Sequence, residues 1–208
     1  MAQTREHEVA HIALLDVNPT AGEEALDSLN GEYPNATFSF HTCDVTSWEK
    51  QAEVFESIYT KQGHVDLVCA NAGIPETGFL FQTTGDRPVK TDLKTYDIDL
   101  TEAIYSMDSL SIHFKFTQPS DEMADESFNH AAVSLAAFYI SKNKSQATSP
   151  YKGSIICTAS NAGFYPLSLA PIYTIAKHGV VGMVRGLAGR FQHEHIQINA
   201  IAPCIVGE

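Results

Sequence analysis

A chain of 208 residues is long enough to bury one full core, and its 44% hydrophobic and 18% charged content is that of a globular protein. Thirteen basic against twenty-five acidic side chains leave a formal charge of −12, which argues against nucleic acid or an anionic membrane as partner. No apolar run approaches the ~20 residues of a membrane span, and the N-terminal MAQTREHEVA has no signal-peptide core, so a cytoplasmic location without a membrane partner is expected.

HIALLD (11–16) reads as a strand, and Asn18-Pro19 as an N-cap with proline at the first helical position, opening a helix that ends near Gly31. ATFSFHTCDV (36–45) predicts a second strand. Thr46 with Glu49 three residues on predicts a capping box for a helix reaching about Gln62. VDLVCA (65–70) is a third strand, running into Asn71-Ala72-Gly73 and a long loop, after which a helix starts near Asp92. GSIICTAS (153–160) predicts a buried strand that delivers Ser160 at its C-terminal end. Residues 170–192 turn helical, and IQINAIA (196–202) is the last strand. This alternation implies a parallel sheet with helices on both faces, which binds ligands beyond the carboxyl ends of its strands. Asp16, Asp44, Asn71 and Ser160 all fall at those ends. The four cysteines, Cys43, Cys69, Cys157 and Cys204, show no CxxC spacing and are expected to be buried reduced thiols. The nine histidines are read as ordinary surface or core residues, and no metal site is expected.

The most informative constellation is Tyr173 with Lys177, four residues apart, and Ser160 thirteen residues before the tyrosine. Residues i and i+4 share a helix face, so the ammonium sits beside the phenol. Free tyrosine titrates near ~10, and an adjacent positive charge favours the phenolate. A tyrosine tuned in this way can pass a proton to or from an alcohol or carbonyl oxygen, which Ser160 would hold by a hydrogen bond. A lone YxxxK is weak; its context carries the argument. At ~100° per residue, Val180, Val184, Leu187 and Ala188 share the Tyr173 side of the helix. Gly179, Gly182, Gly186 and Gly189 form an opposite stripe that a second helix could approach, within the chain or across a dimer. The stripe lies inside a helix and is no phosphate loop.

These pieces occur together in one order: ALLDVN, CDV, NAG, the serine thirteen residues before YxxxK, KHGVVG, and INAIAP followed by IV, covering nearly the whole chain. In this the chain resembles the short-chain dehydrogenase/reductase family, nearest its hydroxyprostaglandin-dehydrogenase-like and polyketide-alcohol-dehydrogenase-like branches, the latter a link to secondary metabolism. The resemblance implies a Rossmann-like, doubly wound parallel sheet and an NAD(P)-dependent oxidoreductase that interconverts a secondary alcohol and a ketone. Tyr173 would be the general acid/base, Lys177 would assist it and hold the nicotinamide ribose, and Ser160 would position the substrate oxygen. Asp16 would accept from the adenosine ribose, favouring NAD over NADP, and Asp44 would bond the adenine amino group. Asn71, Ala72 and Gly73 would line the cofactor, and Val206 would touch its nicotinamide end. A small-molecule substrate and a homodimer or homotetramer are also implied.

The chain departs from the family's pattern in places. No glycine precedes Gly22, and the first strand is already the one ending at Asp16. The family's first strand, with the glycine-rich turn that receives the pyrophosphate, and its last strand are therefore expected to be lacking, leaving a single incomplete Rossmann-type domain over 1–208. Strands 11–16 and 65–70 would then lack the neighbour that lies between them. The family's VNLTG reads IDLTE, with Asp99 where an asparagine amide would donate in a proton relay. Residues 107–130 read as an atypical insertion, either a lid or translated non-coding sequence. These departures keep open an alternative from another class: a non-catalytic or fragmentary relative, namely a dimerising partner, an incomplete gene model or a non-redox proton-transfer catalyst.

Overall fold

The computed structural model describes residues 11–77, 87, 90–101, 132–144 and 149–204. Strand β1 (His11–Asp16) leads into helix α1 (Pro19–Glu32), which begins as expected: the Asn18 side chain accepts from the Ala21 amide at 3.2 Å, with Pro19 at the first helical position. Strand β2 (Thr37–Thr42) and helix α2 (Trp48–Gln62) follow. The cap of α2 is a correction. Ser47, not Thr46, caps the helix, accepting from the Lys50 amide at 3.3 Å, while the Thr46 hydroxyl donates to Asp44. Gly63 closes α2 at φ 79°, a left-handed conformation that glycine adopts without a Cβ penalty.

Strand β3 (Leu67–Ala70) runs into the loop Asn71–Thr77. Beyond it, a single helical turn, α3 (Lys94–Tyr96), passes directly into a π-helical turn, Asp97–Thr101. Helix α4 (Ala132–Ser141), strand β4 (Gly153–Thr158), the 3₁₀ turn Asn161–Gly163, helix α5 (Pro171–His193) and strand β5 (Ile196–Ile201) complete the described elements. Residues 107–130 and Val206 lie outside the described residues.

Among the described residues every strand pairing is parallel. β1 lies along β2, from His11 opposite Thr37 to Asp16 opposite Thr42. β4 is flanked by β3 and β5, with Cys157 opposite both Ala70 and Ala200. Parallel neighbours require crossover connections, which the helices supply. The fold is therefore the expected α/β arrangement, with its strands in two groups. Among the described residues β1 pairs only with β2, and β3 only with β4. Among the described residues each of β1 and β3 thus has one edge to which no strand pairs.

The core lies where α4 and α5 cover β3–β4–β5. Val133, Ile140, Ile155, Cys157, Ala176 and Phe191 are all but sealed from solvent. A fully buried side chain of the Ile or Phe type stabilises by roughly 1.5–3 kcal/mol. The β1–β2 pair has no fully buried strand residue. It is packed by close approach instead: the Phe40 ring rests on Gly22 of α1, where a Cβ would overlap it.

The expectation for the cysteines is corrected. Cys43 and Cys157 are buried, but Cys69 and Cys204 are exposed. Cys69 stands on β3, whose residues alternate between exposed and half-buried, and Cys204 follows the last strand. On α5, Val180 and Leu187 are buried and Val184 is half-buried, but Ala188 is exposed. The buried stripe runs Ile172, Ala176, Val180, Met183, Leu187, Phe191, so Tyr173 sits at its border. The glycine stripe also divides. A Cβ at Gly179 would overlap Leu100 of the same chain, whereas at Gly182, Gly186 and Gly189 it would meet nothing within 4 Å among the described residues.

Candidate active site

Lys177 is the centre of the site. Its side chain enters from α5 and is 3% exposed, and Tyr173 stands one turn earlier with Lys177 Nζ 5.4 Å from its ring centre. The ammonium donates to the Thr158 carbonyl oxygen at the end of β4, at 3.1 Å. On another side it meets Asp99 Oδ2, also at 3.1 Å, in a pair buried on both sides. That contact is set by charge and distance rather than by hydrogen-bond direction, since Oδ2 has no aligned donor. The other oxygen, Asp99 Oδ1, accepts from the Ile74 amide at 2.7 Å. A buried carboxylate needs such partners, because leaving water is costly for a charge. The π-helical turn 97–101 brings Asp99 to this place, a geometry frequent at functional sites.

The loop after β3 forms the next wall. Asn71 Oδ1 accepts from the Thr158 hydroxyl at 2.6 Å. At Gly73 a Cβ would stand 3.3 Å from both Asp99 Oδ1 and Lys177 Nζ. Glycine there leaves the surface above the ion pair open, and Asn71, Ala72 and Gly73 are all exposed. Ser160 follows β4 by two residues. Its hydroxyl accepts from the Ala162 amide at 3.2 Å and meets Asn161 Oδ1 at 3.2 Å. The turn it caps is pressed onto α5, since a Cβ at Gly163 would lie 2.7 Å from the Lys177 carbonyl oxygen. Thus Ser160, Tyr173, Lys177 and the Asn71–Gly73 loop meet around the end of β4.

Asp16 and Asp44 belong to the β1–β2 group, where the Cys43 amide donates to the Asp16 carbonyl at 2.9 Å. Both carboxylates are exposed. Asp16 Oδ1 accepts from the Asn18 amide at 2.8 Å, a turn ahead of α1. Asp44 Oδ1 accepts from the Thr46 hydroxyl at 2.7 Å and the Thr46 amide at 2.9 Å. Those donors, the hydroxyl first, hold its carboxyl below the usual carboxylate range.

Sequence reasoning missed three participants. The Thr158 carbonyl is invisible in a residue pattern. Asp99 stood out only as a departure, and the structure shows it as the partner of Lys177. Glu76 accepts from the Ile172 and Tyr173 amides at 3.2 and 2.7 Å. The signal for it was negative: Ala170, at the N-cap of α5, has no capping side chain. Sequence reading also passed over His7-Glu8-Val9-Ala10-His11, which has the HExxH spacing of helical zinc sites. His11 begins β1, and its ring nitrogens bond Thr37 and Ser39. Among the described residues no group of three or more His, Cys, Asp or Glu is placed to hold a metal.

The sequence profile described as "short chain dehydrogenase" matches residues 1–110 and 114–207. The chain belongs to the short-chain dehydrogenase family. Among its relatives, the short-chain dehydrogenase/reductase prx7 of Penicillium rubens is 30% identical over 205 residues, covering 94% of this chain and 59% of that protein. The prx4 protein of Penicillium roqueforti is 30% identical over 93% of this chain and 46% of its own length. A cis-2,3-dihydrobiphenyl-2,3-diol dehydrogenase of a Pseudomonas species is 54% identical over 52 residues, 25% of this chain and 18% of that one. The chain therefore spans about half to three-fifths of the length of the Penicillium relatives. The structure of NAD+-bound xylitol dehydrogenase superposes with a TM-score of 0.70 at 24% identity, covering 95% of this chain and 62% of that one. ElxO with NADP bound gives 0.63 at 22% identity over 95% and 64%. At these identities the likeness is one of fold. No helix among the described residues is long and apolar enough to cross a membrane.

Proposed function

We propose that the protein carrying this chain is an NAD(P)-dependent oxidoreductase that interconverts a secondary alcohol and a ketone, with Tyr173 as general acid/base. The observation that carries this reading is the buried Lys177 ammonium 5.4 Å from the Tyr173 ring, at the end of the strand that delivers Ser160. A bound nicotinamide supplies the hydride acceptor or donor. Tyr173 takes the hydroxyl proton as the carbonyl forms and returns it in the reverse direction. Ser160 donates a hydrogen bond to the substrate oxygen, giving up its contact with Asn161 Oδ1.

The residues present fit such a cofactor. Gly73 keeps clear the surface above the Lys177–Asp99 pair that a Cβ would fill, so Asn71, Ala72, Gly73, Tyr173 and Lys177 would hold the nicotinamide side. Asp16 and Asp44 would serve the adenosine side, and the Asp16 carboxylate would repel a 2′-phosphate, which favours NAD over NADP. The open face at Gly182, Gly186 and Gly189 supports a homodimer or homotetramer, and the reading places the protein in the cytoplasm.

Replacing Tyr173 by Phe removes the proton carrier and keeps the ring. In NAD-coupled oxidation of secondary alcohols, Tyr173→Phe is expected to lower kcat/KM by about 10²–10⁴-fold while NAD binding, for which the ring remains, is largely kept. Full turnover by the variant would overturn the reading. Asp99 supports a second reading, a non-catalytic relative, because its carboxylate occupies the ammonium that the mechanism uses. A parent protein that binds NAD yet oxidises no secondary alcohol would favour it.

A further inference from the structure

The first turn of a helix has amides with no intrahelical acceptor, and a buried or half-buried end must satisfy them from outside. In α5 these can be followed one by one. The Ala170 amide donates to the Leu167 carbonyl at 2.9 Å, and Pro171 has no N–H. The first intrahelical bond is Thr174 N to Ala170 O at 2.9 Å. That leaves the Ile172 and Tyr173 amides, and the two oxygens of Glu76 take one each, Oε1 at 3.2 Å and Oε2 at 2.7 Å. An anion at this end is favoured by the helix dipole, and its hydrogen bonds are charge-assisted.

Glu76 is itself held on both flanks. Two residues before it, the Ile74 amide donates to Asp99. One residue after it, the Thr77 amide donates to Thr95 Oγ1 at 3.0 Å, and that fully buried hydroxyl donates in turn to the Pro75 carbonyl at 3.0 Å. The loop after β3 is thus a strap. It reaches Lys177 through Asp99 and Tyr173 through Glu76, across 97 residues of sequence in the second case.

We propose that Glu76 is a positioning residue for Tyr173: it sets the first turn of α5, and with it the direction of the phenol, against the loop Asn71–Gly73. The proposal rests on the reading of Tyr173 as the acid/base. Its test uses neither substrate nor cofactor, so the two fail separately.

The 208-residue chain is labelled with ¹⁵N and with ¹³C in its tyrosine rings. In Glu76→Ala, amide exchange at Ile172 and Tyr173 is expected to accelerate by about tenfold or more, and the Tyr173 ring signal is expected to shift or broaden. The ring signals of Tyr59 and Tyr139, whose rings meet at a tilt with centroids 5.1 Å apart, and the amides of Met183 and Leu187 should not change. Glu76→Gln keeps one acceptor oxygen and should restore protection at one of the two amides. The proposal is overturned if both exchange rates in Glu76→Ala stay within about twofold of the parent. It is overturned equally if the Tyr59, Tyr139 and Tyr173 signals change together, which would mark general loosening. Should Glu76→Ala fail to fold, Glu76→Gln carries the same comparison: loss of protection at one amide supports the cap, and full protection at both with an unchanged Tyr173 signal refutes it. A parent protein without dehydrogenase activity would sink the acid/base reading and leave the exchange result standing.

Discussion

Lys177 Nζ and Asp99 Oδ2 lie 3.1 Å apart with both side chains out of reach of solvent. Breaking a buried pair by removing one partner leaves the other charge uncompensated, at a cost of about 3–5 kcal/mol, whereas replacing both by apolar groups is often neutral. Lys177→Met is therefore expected to lower the stability of the chain by that order, and Lys177→Met with Asp99→Leu to recover most of it. Chemical denaturation of the single and double variants checks this. A single variant as stable as the parent would mean that the pair is open to water.

The two halves of the glycine stripe should respond differently to added side chains. Gly179→Ala places a methyl group into Leu100 and should destabilise the folded chain by about 1–3 kcal/mol. Gly182→Leu meets no neighbour among the described residues, so it should leave the melting temperature of a monomer unchanged. If this face pairs with a second copy, Gly182→Leu should instead reduce self-association, as read by sedimentation. Undiminished association would remove this face as the interface.

The four thiols should separate by reactivity. Burial pushes the Cys157 thiol up to about 12, and Cys43 is buried as well. Cys69 and Cys204 are exposed. A disulfide reagent at neutral pH should modify these two in the native protein, and Cys43 and Cys157 only after unfolding. Rapid modification of Cys157 in the native chain would contradict the packing of β4.

Asp44 offers a pH test with a definite sign. Its folded value lies below the reference 3.8, chiefly through the Thr46 hydroxyl and then the Thr46 amide. A depressed carboxylate contributes stability that is present above about 3.8 and is lost as pH falls through the lower folded value. Thr46→Val removes the hydroxyl donor and keeps the amide, so the Asp44 midpoint, followed by carboxyl ¹³C shifts, should rise part of the way toward 3.8. An unmoved midpoint would mean that the hydroxyl contact does not persist in solution.

Much of the fold was legible from local pattern. The strand ending at Asp16, the Asn18-Pro19 start of α1, the strand 153–158 before Ser160 and the helix bearing Tyr173 and Lys177 all stand where propensity, capping and periodicity put them. Each depends on residues within a turn or two of one another. The errors were local too. The cap of α2 falls one residue later than expected, at Ser47, while Thr46 turns its hydroxyl back to Asp44. Cys69 is exposed because it stands on the more exposed side of β3, whose residues alternate between exposed and half-buried.

The linear chain by itself determined the α/β alternation and the adjacency of Tyr173 and Lys177, since a four-residue spacing on a helix needs no tertiary contact to define it. Only the tertiary structure decided what surrounds that pair. Asp99, the Thr158 carbonyl and the Glu76 carboxylate reach the first two turns of α5 from three different elements, from 19 residues away at the nearest to 97 at the farthest. They converge because a buried ammonium and an uncapped helix end must find partners wherever the packed chain supplies them.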